Sequence, residues 1–87
     1  MYIVKETRPY GELWVHLDTK DKAGVLKIKR GAVSGAIYSF EISLSLQAAK
    51  EFCNKLTQQN RNATALKVFS EDIMLEAGEF TFKIKNK

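Results

Sequence analysis

Eighty-seven residues, 45% of them hydrophobic, suffice for one small two-layer core and are too few for two. Fourteen Lys and Arg against ten Asp and Glu give a net charge of +4, a mildly basic balance that suits a polyanionic partner without requiring one. A single cysteine, Cys53, excludes an internal disulfide, and with one histidine, His16, it leaves no metal-ligand or cofactor pattern, so a reducing compartment, cytoplasm or nucleoid, is expected. No apolar run approaches the roughly 20 residues of a membrane span, and MYIVKETRPYG does not read as a signal peptide.

Tyr2 to Thr7 is the first predicted strand, ended by a turn at Pro9 and Gly11 around Tyr10. The second, Glu12 to Thr19, alternates cleanly through Leu13, Val15 and Leu17. Lys20 to Gly24 reads as a hairpin loop leading to a third strand, Val25 to Arg30. The small residues Gly31 to Ala36 make a connection able to serve as a mobile flap. A fourth strand, Ile37 to Leu44, turns Tyr38, Phe40, Ile42 and Leu44 inward and Ile37, Ser39, Glu41 and Ser43 outward. Ser45 then caps a helix from Leu46 to about Gln58, with Ala49, Phe52, Cys53 and Leu56 on one stripe, and Asn60, Arg61 and Asn62 close it. Thr64 to Phe69, Ile73 to Glu76 and Glu79 to Lys85 complete the strands, the last with Phe80, Phe82 and Ile84 inward. The segments form a single α+β domain over residues 1–87, an antiparallel sheet with the helix packed on one face.

Enzymatic patterns are lacking. The chain has no G-x-S-x-G, P-loop, H-E-x-x-H or Gly-rich dinucleotide fingerprint. Cys53, on the inward helix stripe, reads as a small core hydrophobe rather than a nucleophile. The carboxylates are scattered, with Glu71 and Asp72 in a turn, and His16 reads as an outward, solvated or phosphate-adjacent imidazole rather than a base.

What remains is a face. In LWVHLDTKDKAGVLKIKR, Leu13, Val15, Leu17, Leu26 and Ile28 fall on one side and Trp14, His16, Lys27 and Lys29 on the other. With a helix over the apolar side, Trp14, His16, Lys27, Lys29, Ser39, Lys67 and Lys83 would share the uncovered side, with Tyr10, Lys20, Lys22 and Arg30 at its margins. Cations neutralise phosphates and an indole stacks a base, so the pattern fits a single nucleic-acid strand. Outward lysines also keep strand edges soluble, and an outward Trp also suits a protein interface.

GVLKIKR and YSFEISLSLQAAKEFCNKL, through Gly24 to Lys29, Ile42 to Leu46 and Ala49 to Leu56, resemble the strand-strand-strand-strand-helix unit of the positive cofactor four and purine-rich-element-binding (Whirly-like) proteins. The resemblance covers about residues 2 to 58, and residues 63 to 87 depart from it. It implies a curved sheet that binds single-stranded DNA or RNA, and, with one unit per chain, a homodimer. Trp14, Lys27 and Lys29 take over the binding role, and more loosely Lys5, Lys20, Lys22 and Arg30. The expectation is therefore a non-enzymatic, homodimeric single-strand-binding protein of replication, recombination or transcription, with phosphates on the lysines and Arg30 and bases on Trp14 and Tyr10. A protein-binding adaptor using the Trp14 face and the C-terminal strands, and duplex binding through the Lys20 to Gly24 loop, are the alternatives.

Overall fold

A computed structural model of the chain describes residues 2–19, 24–29, 37–40, 42, 44–67, 72–77 and 80–86, with 38–40, 72–77 and 80–86 described by backbone path alone. Chain order is β1 (Tyr2–Thr7), a 3-10 turn (Pro9–Gly11), β2 (Leu13–His16), β3 (Val25–Ile28), β4 (Ile37–Phe40), α1 (Leu46–Gln58), β5 (Asn62–Lys67), β6 (Asp72–Ala77) and β7 (Phe80–Asn86). The architecture is α+β, as the sequence pattern implies. An antiparallel four-stranded sheet runs in the order β3-β2-β1-β5, and α1 packs on it.

The strand set of that sheet differs from the expected one. β4 does not join β1, β2 and β3; it lies in a second sheet ordered β4-β7-β6, parallel to β7, while β6 and β7 are antiparallel. β5, returning from the helix, takes the place beside β1 through six residue pairs from Tyr2↔Lys67 to Thr7↔Asn62. A strand has two edges, and β2 and β5 fill both edges of β1. The stretch after β4 touches this sheet through the Tyr2↔Leu44 bridge, where the Tyr2 amide donates to the Leu44 carbonyl at 3.0 Å.

Two turns fix the β1–β2–β3 meander. Between β1 and β2 the Glu12 amide donates to the Pro9 carbonyl across Tyr10 (φ 65°) and Gly11 (φ 76°). Two successive positive φ values give the turn the hand that matches strand twist. Gly11 adopts this freely, whereas for Tyr10 it costs about 1–2 kcal/mol. β2 and β3 end earlier than their alternation suggests, and the Leu17 amide closes the hairpin on the Gly24 carbonyl at 2.7 Å.

Both ends of α1 follow the sequence. Ser45 is extended, and its Oγ accepts from the Ala48 amide at 3.2 Å, satisfying one of the first-turn donors. At the other end Asn60 takes φ 58°, the Arg61 amide donates to the Leu56 carbonyl and the Asn60 amide to Thr57, both at 3.0 Å. That pair of bonds is a Schellman motif, with Asn at the left-handed position.

The faces differ from expectation in one decisive respect. Leu13, Val15, Leu17, Leu26 and Ile28 are buried, as predicted, and Ile3 is buried with them. Yet α1 lies on the opposite face, over Val4, Ala63 and Ala65, with Ala49 and Leu56 fully turned in and Phe52 and Cys53 packed beside them. The sheet is therefore apolar on both faces where α1 crosses β1 and β5. Burying Leu56 alone contributes roughly 2 kcal/mol. Ser39 and Lys83 belong to β4 and β7, so they do not share a sheet with Trp14. The expected inward set Tyr38, Phe40, Phe80, Phe82 and Ile84, the Gly31 to Ala36 connection and Glu71 lie outside the described side chains or residues, while Asp72, expected in a turn with Glu71, opens β6 opposite Lys85.

Candidate functional site

Register assembles the site. Glu6 pairs with Trp14 and Ala63, Val4 with His16 and Ala65, and Trp14 with Lys27, so Glu6, Trp14, His16 and Lys27 stand on the face that carries α1. The helix lies over β1 and β5. The β2–β3 half of the same face carries Trp14, half-buried, and Lys27, exposed.

At the centre is Glu6, a carboxylate with no solvent exposure. Arg61 grips it with two bonds, Nε to Oε2 and Nη2 to Oε1, both 2.5 Å, while Arg8 Nη1 donates to Oε2 at 3.0 Å. His16 Nε2 lies 2.9 Å from Oε1. An ionised carboxylate only accepts, so Nε2 carries the proton and donates. Burial by itself would raise the Glu6 pKa, but the hydrogen bonds from Arg61, His16 and Arg8 outweigh it and hold the group down at about 2. His16 is pushed below its ordinary 6.5, because burial disfavours the imidazolium more than Glu6 favours it.

This overturns the expectation of a solvated His16. The ring is 4% exposed, with the Phe52 ring edge-on at 4.9 Å and Trp14 at 6.3 Å. β1 and β5 bring Arg8 and Arg61 to the same end of their pairing, next to Thr7↔Asn62. Two guanidiniums so placed repel unless an anion joins them, and Glu6 does so. The Schellman turn delivers Arg61 to that position directly from the helix.

Trp14 is the next layer. Lys27 Nζ and Arg8 Cζ each sit 4.5 Å from its ring centroid and Arg61 Cζ 5.6 Å, while its Nε1 donates to Glu12 Oε1. An indole carrying three cations is engaged already, each contact contributing about 0.5–1 kcal/mol. A base stacking on the ring would compete with these contacts.

Among the described residues the exposed aromatic is Tyr10, 93% accessible at the tip of the β1–β2 turn. Together with Arg8, Pro9, Glu12 and Lys29 it lines a surface pocket of about 370 Å³. Of the sequence-predicted residues the structure therefore brings together Tyr10, Trp14, Lys27 and Lys29. Lys5 sits on the opposite face, paired with Val15, and is half-buried. Lys20, Lys22 and Arg30 lie outside the described residues. Sequence reasoning missed Arg8, Glu12 and Arg61. Arg8 and Glu12 flank the Pro9–Gly11 turn that the sequence does mark, which was the available signal, whereas nothing local connects Arg61 to Glu6.

Cys53 Sγ donates to the Ala63 carbonyl at 3.2 Å, a packing role between α1 and β5. Among the described residues no group of three His, Cys, Asp or Glu is placed to hold a metal ion, and no helix is long and apolar enough to cross a membrane. In comparisons with known proteins the chain matches no family model, no curated protein and no solved structure.

Proposed function

We propose that the protein binds single-stranded nucleic acid, DNA or RNA, at the β1–β2 turn and the adjoining β2–β3 surface, in the service of replication, recombination or transcription. The carrying observation is Tyr10, an almost fully exposed aromatic at a positive φ, flanked by Arg8 and Lys29. Burial gains nothing from that ring and the backbone conformation costs free energy, so the fold itself does not account for an aromatic there. A stacking platform beside cations does. Arg8, Lys27 and Lys29 contact phosphates, and Trp14 acts mainly as the plate that holds Arg8, Lys27 and Arg61 in place. The resemblance to positive cofactor four and purine-rich-element-binding proteins adds a homodimer to this reading, and the exposed Ile37 on the edge strand β4 supports a contact between copies.

Titration with a labelled oligonucleotide at low salt tests the reading. Tyr10→Ala is expected to weaken binding about tenfold, in line with 1–3 kcal/mol per stacked base, with an unchanged urea midpoint. No binding by the wild-type protein, or a loss below twofold in the variant, overturns it.

A further inference from the structure

The pocket at the turn contains an element that simple phosphate tracking does not need, the Glu12 carboxylate. It stands among Arg8, Pro9, Tyr10 and Lys29 in a volume of about 370 Å³, within the small end of the ligand-pocket range of about 300–1,000 Å³. On a surface meant only for phosphates an anion is a liability, because it repels the ligand and offsets a neighbouring cation. Its orientation is fixed. Oε1 accepts from the indole Nε1 of Trp14, and Trp14 is itself held by Arg8, Lys27 and Arg61. Oε2 makes no hydrogen bond among the described residues, and Glu12 lines the same pocket as Tyr10.

Resting on the binding reading above, we infer that this pocket selects bases with an exocyclic amino group, disfavouring thymine and uracil. A carboxylate can only accept. Cytosine offers its N4 amino group, adenine N6, and guanine N1–H beside its N2 amino group, so each can donate to Glu12 Oε2 while its ring lies on Tyr10. Thymine and uracil present one N3–H between two carbonyl oxygens, and those oxygens repel the carboxylate. Register sets the rest of the subsite: continuing the Leu13↔Ile28 pairing by one step puts Lys29 opposite Glu12, so a cation stands beside the base-reading group for the adjacent phosphate.

Oligo-dC and oligo-dT of equal length, titrated in the same buffer at neutral pH, provide the test, since both are pyrimidine strands and differ at the edge Glu12 would read. The wild-type protein is expected to bind oligo-dC about fivefold or more tighter. In Glu12→Gln, whose carboxamide still accepts from Trp14 but also donates, the preference is expected to fall below twofold, chiefly through tighter oligo-dT binding. Equal wild-type affinities overturn the selectivity while leaving single-strand binding in place. A preference that persists in Glu12→Gln overturns the role of Glu12. If neither strand binds, the binding reading falls and the selectivity with it. A urea midpoint of Glu12→Gln matching the wild type separates altered recognition from altered folding.

Discussion

At the scale of single residues, Glu6 is where stability and pH meet. Its folded pKa of about 2 lies below the ordinary 4.5, so the folded state holds the carboxylate ionised more strongly than the unfolded chain does. Such a group contributes stability that is present above pH 4.5 and is lost as pH falls toward 2. The depression corresponds to about 3 kcal/mol, at the lower bound of the roughly 3–5 kcal/mol for breaking a buried pair, as expected when Arg8 and Arg61 keep some access to water. His16 acts in the same sense but higher. Its pKa is lowered on folding, so the unfolded chain takes up the proton first, and stability declines as pH drops through 6.5. Urea midpoints are therefore expected to fall from pH 7 downward and more steeply below pH 4.5. Glu6→Gln is expected to be about 3 kcal/mol less stable than the wild type at pH 7, the gap narrowing toward pH 2. A gap of equal size at pH 7 and pH 3 would show that the carboxylate's charge is not what stabilises the fold.

Among the elements, the β2–β3 hairpin depends on one close approach. A Cβ added at Gly24 would meet Asp18 Cβ at 2.6 Å and the Asp18 backbone nitrogen at 3.1 Å, next to the Leu17 amide bond that closes the hairpin. Neither atom is the free end of a side chain, so the backbone must move. Gly24→Ala is expected to lower stability by about 1–3 kcal/mol, measured by urea unfolding. A neutral or stabilising result would mean that the hairpin end has slack. How much of the fold the sequence carries is visible in the same elements. β1 and α1 follow their predicted bounds because local periodicity, a serine cap and an Asn closure determine them. The side of the sheet that α1 covers does not follow, because β1 reads apolar on both faces: Ile3 belongs to one and Val4 to the other, and both are fully buried. The partner of Glu6 was equally hidden. A carboxylate at that position breaks the apolar rule only if its counter-ions are unseen, and Arg61 is 55 residues away. The site was half legible for a related reason. Alternation placed Trp14 and Lys27 together, but their mutual contact, which moves the open aromatic surface from Trp14 to Tyr10, depends on side-chain packing that no spacing rule encodes.

For the molecule as a whole, the charge balance is modest and its arrangement matters more. A net charge of +4 distributed evenly would steer polyanions weakly. Arg8, Lys27 and Lys29 are gathered on the same side, though Glu6 and Glu12 lie among them, so the surface offers a few phosphate positions rather than a continuous basic field. Counterion release converts that number into a slope. Three phosphates on a single strand give a log-log dependence of affinity on salt of about −2, at about −0.7 per contact. Engagement of Lys20, Lys22 and Arg30 in addition would bring it to about −4 on the same scale. Oligonucleotide affinity measured between 50 and 300 mM salt, as an experimental range of about sixfold, separates these cases. Lys20→Ala with Lys22→Ala is expected to flatten the steeper slope by about 1.4 and leave the shallower one unchanged. A slope near zero would overturn the phosphate-contact reading, because an interface built on phosphate contacts cannot keep its affinity in salt.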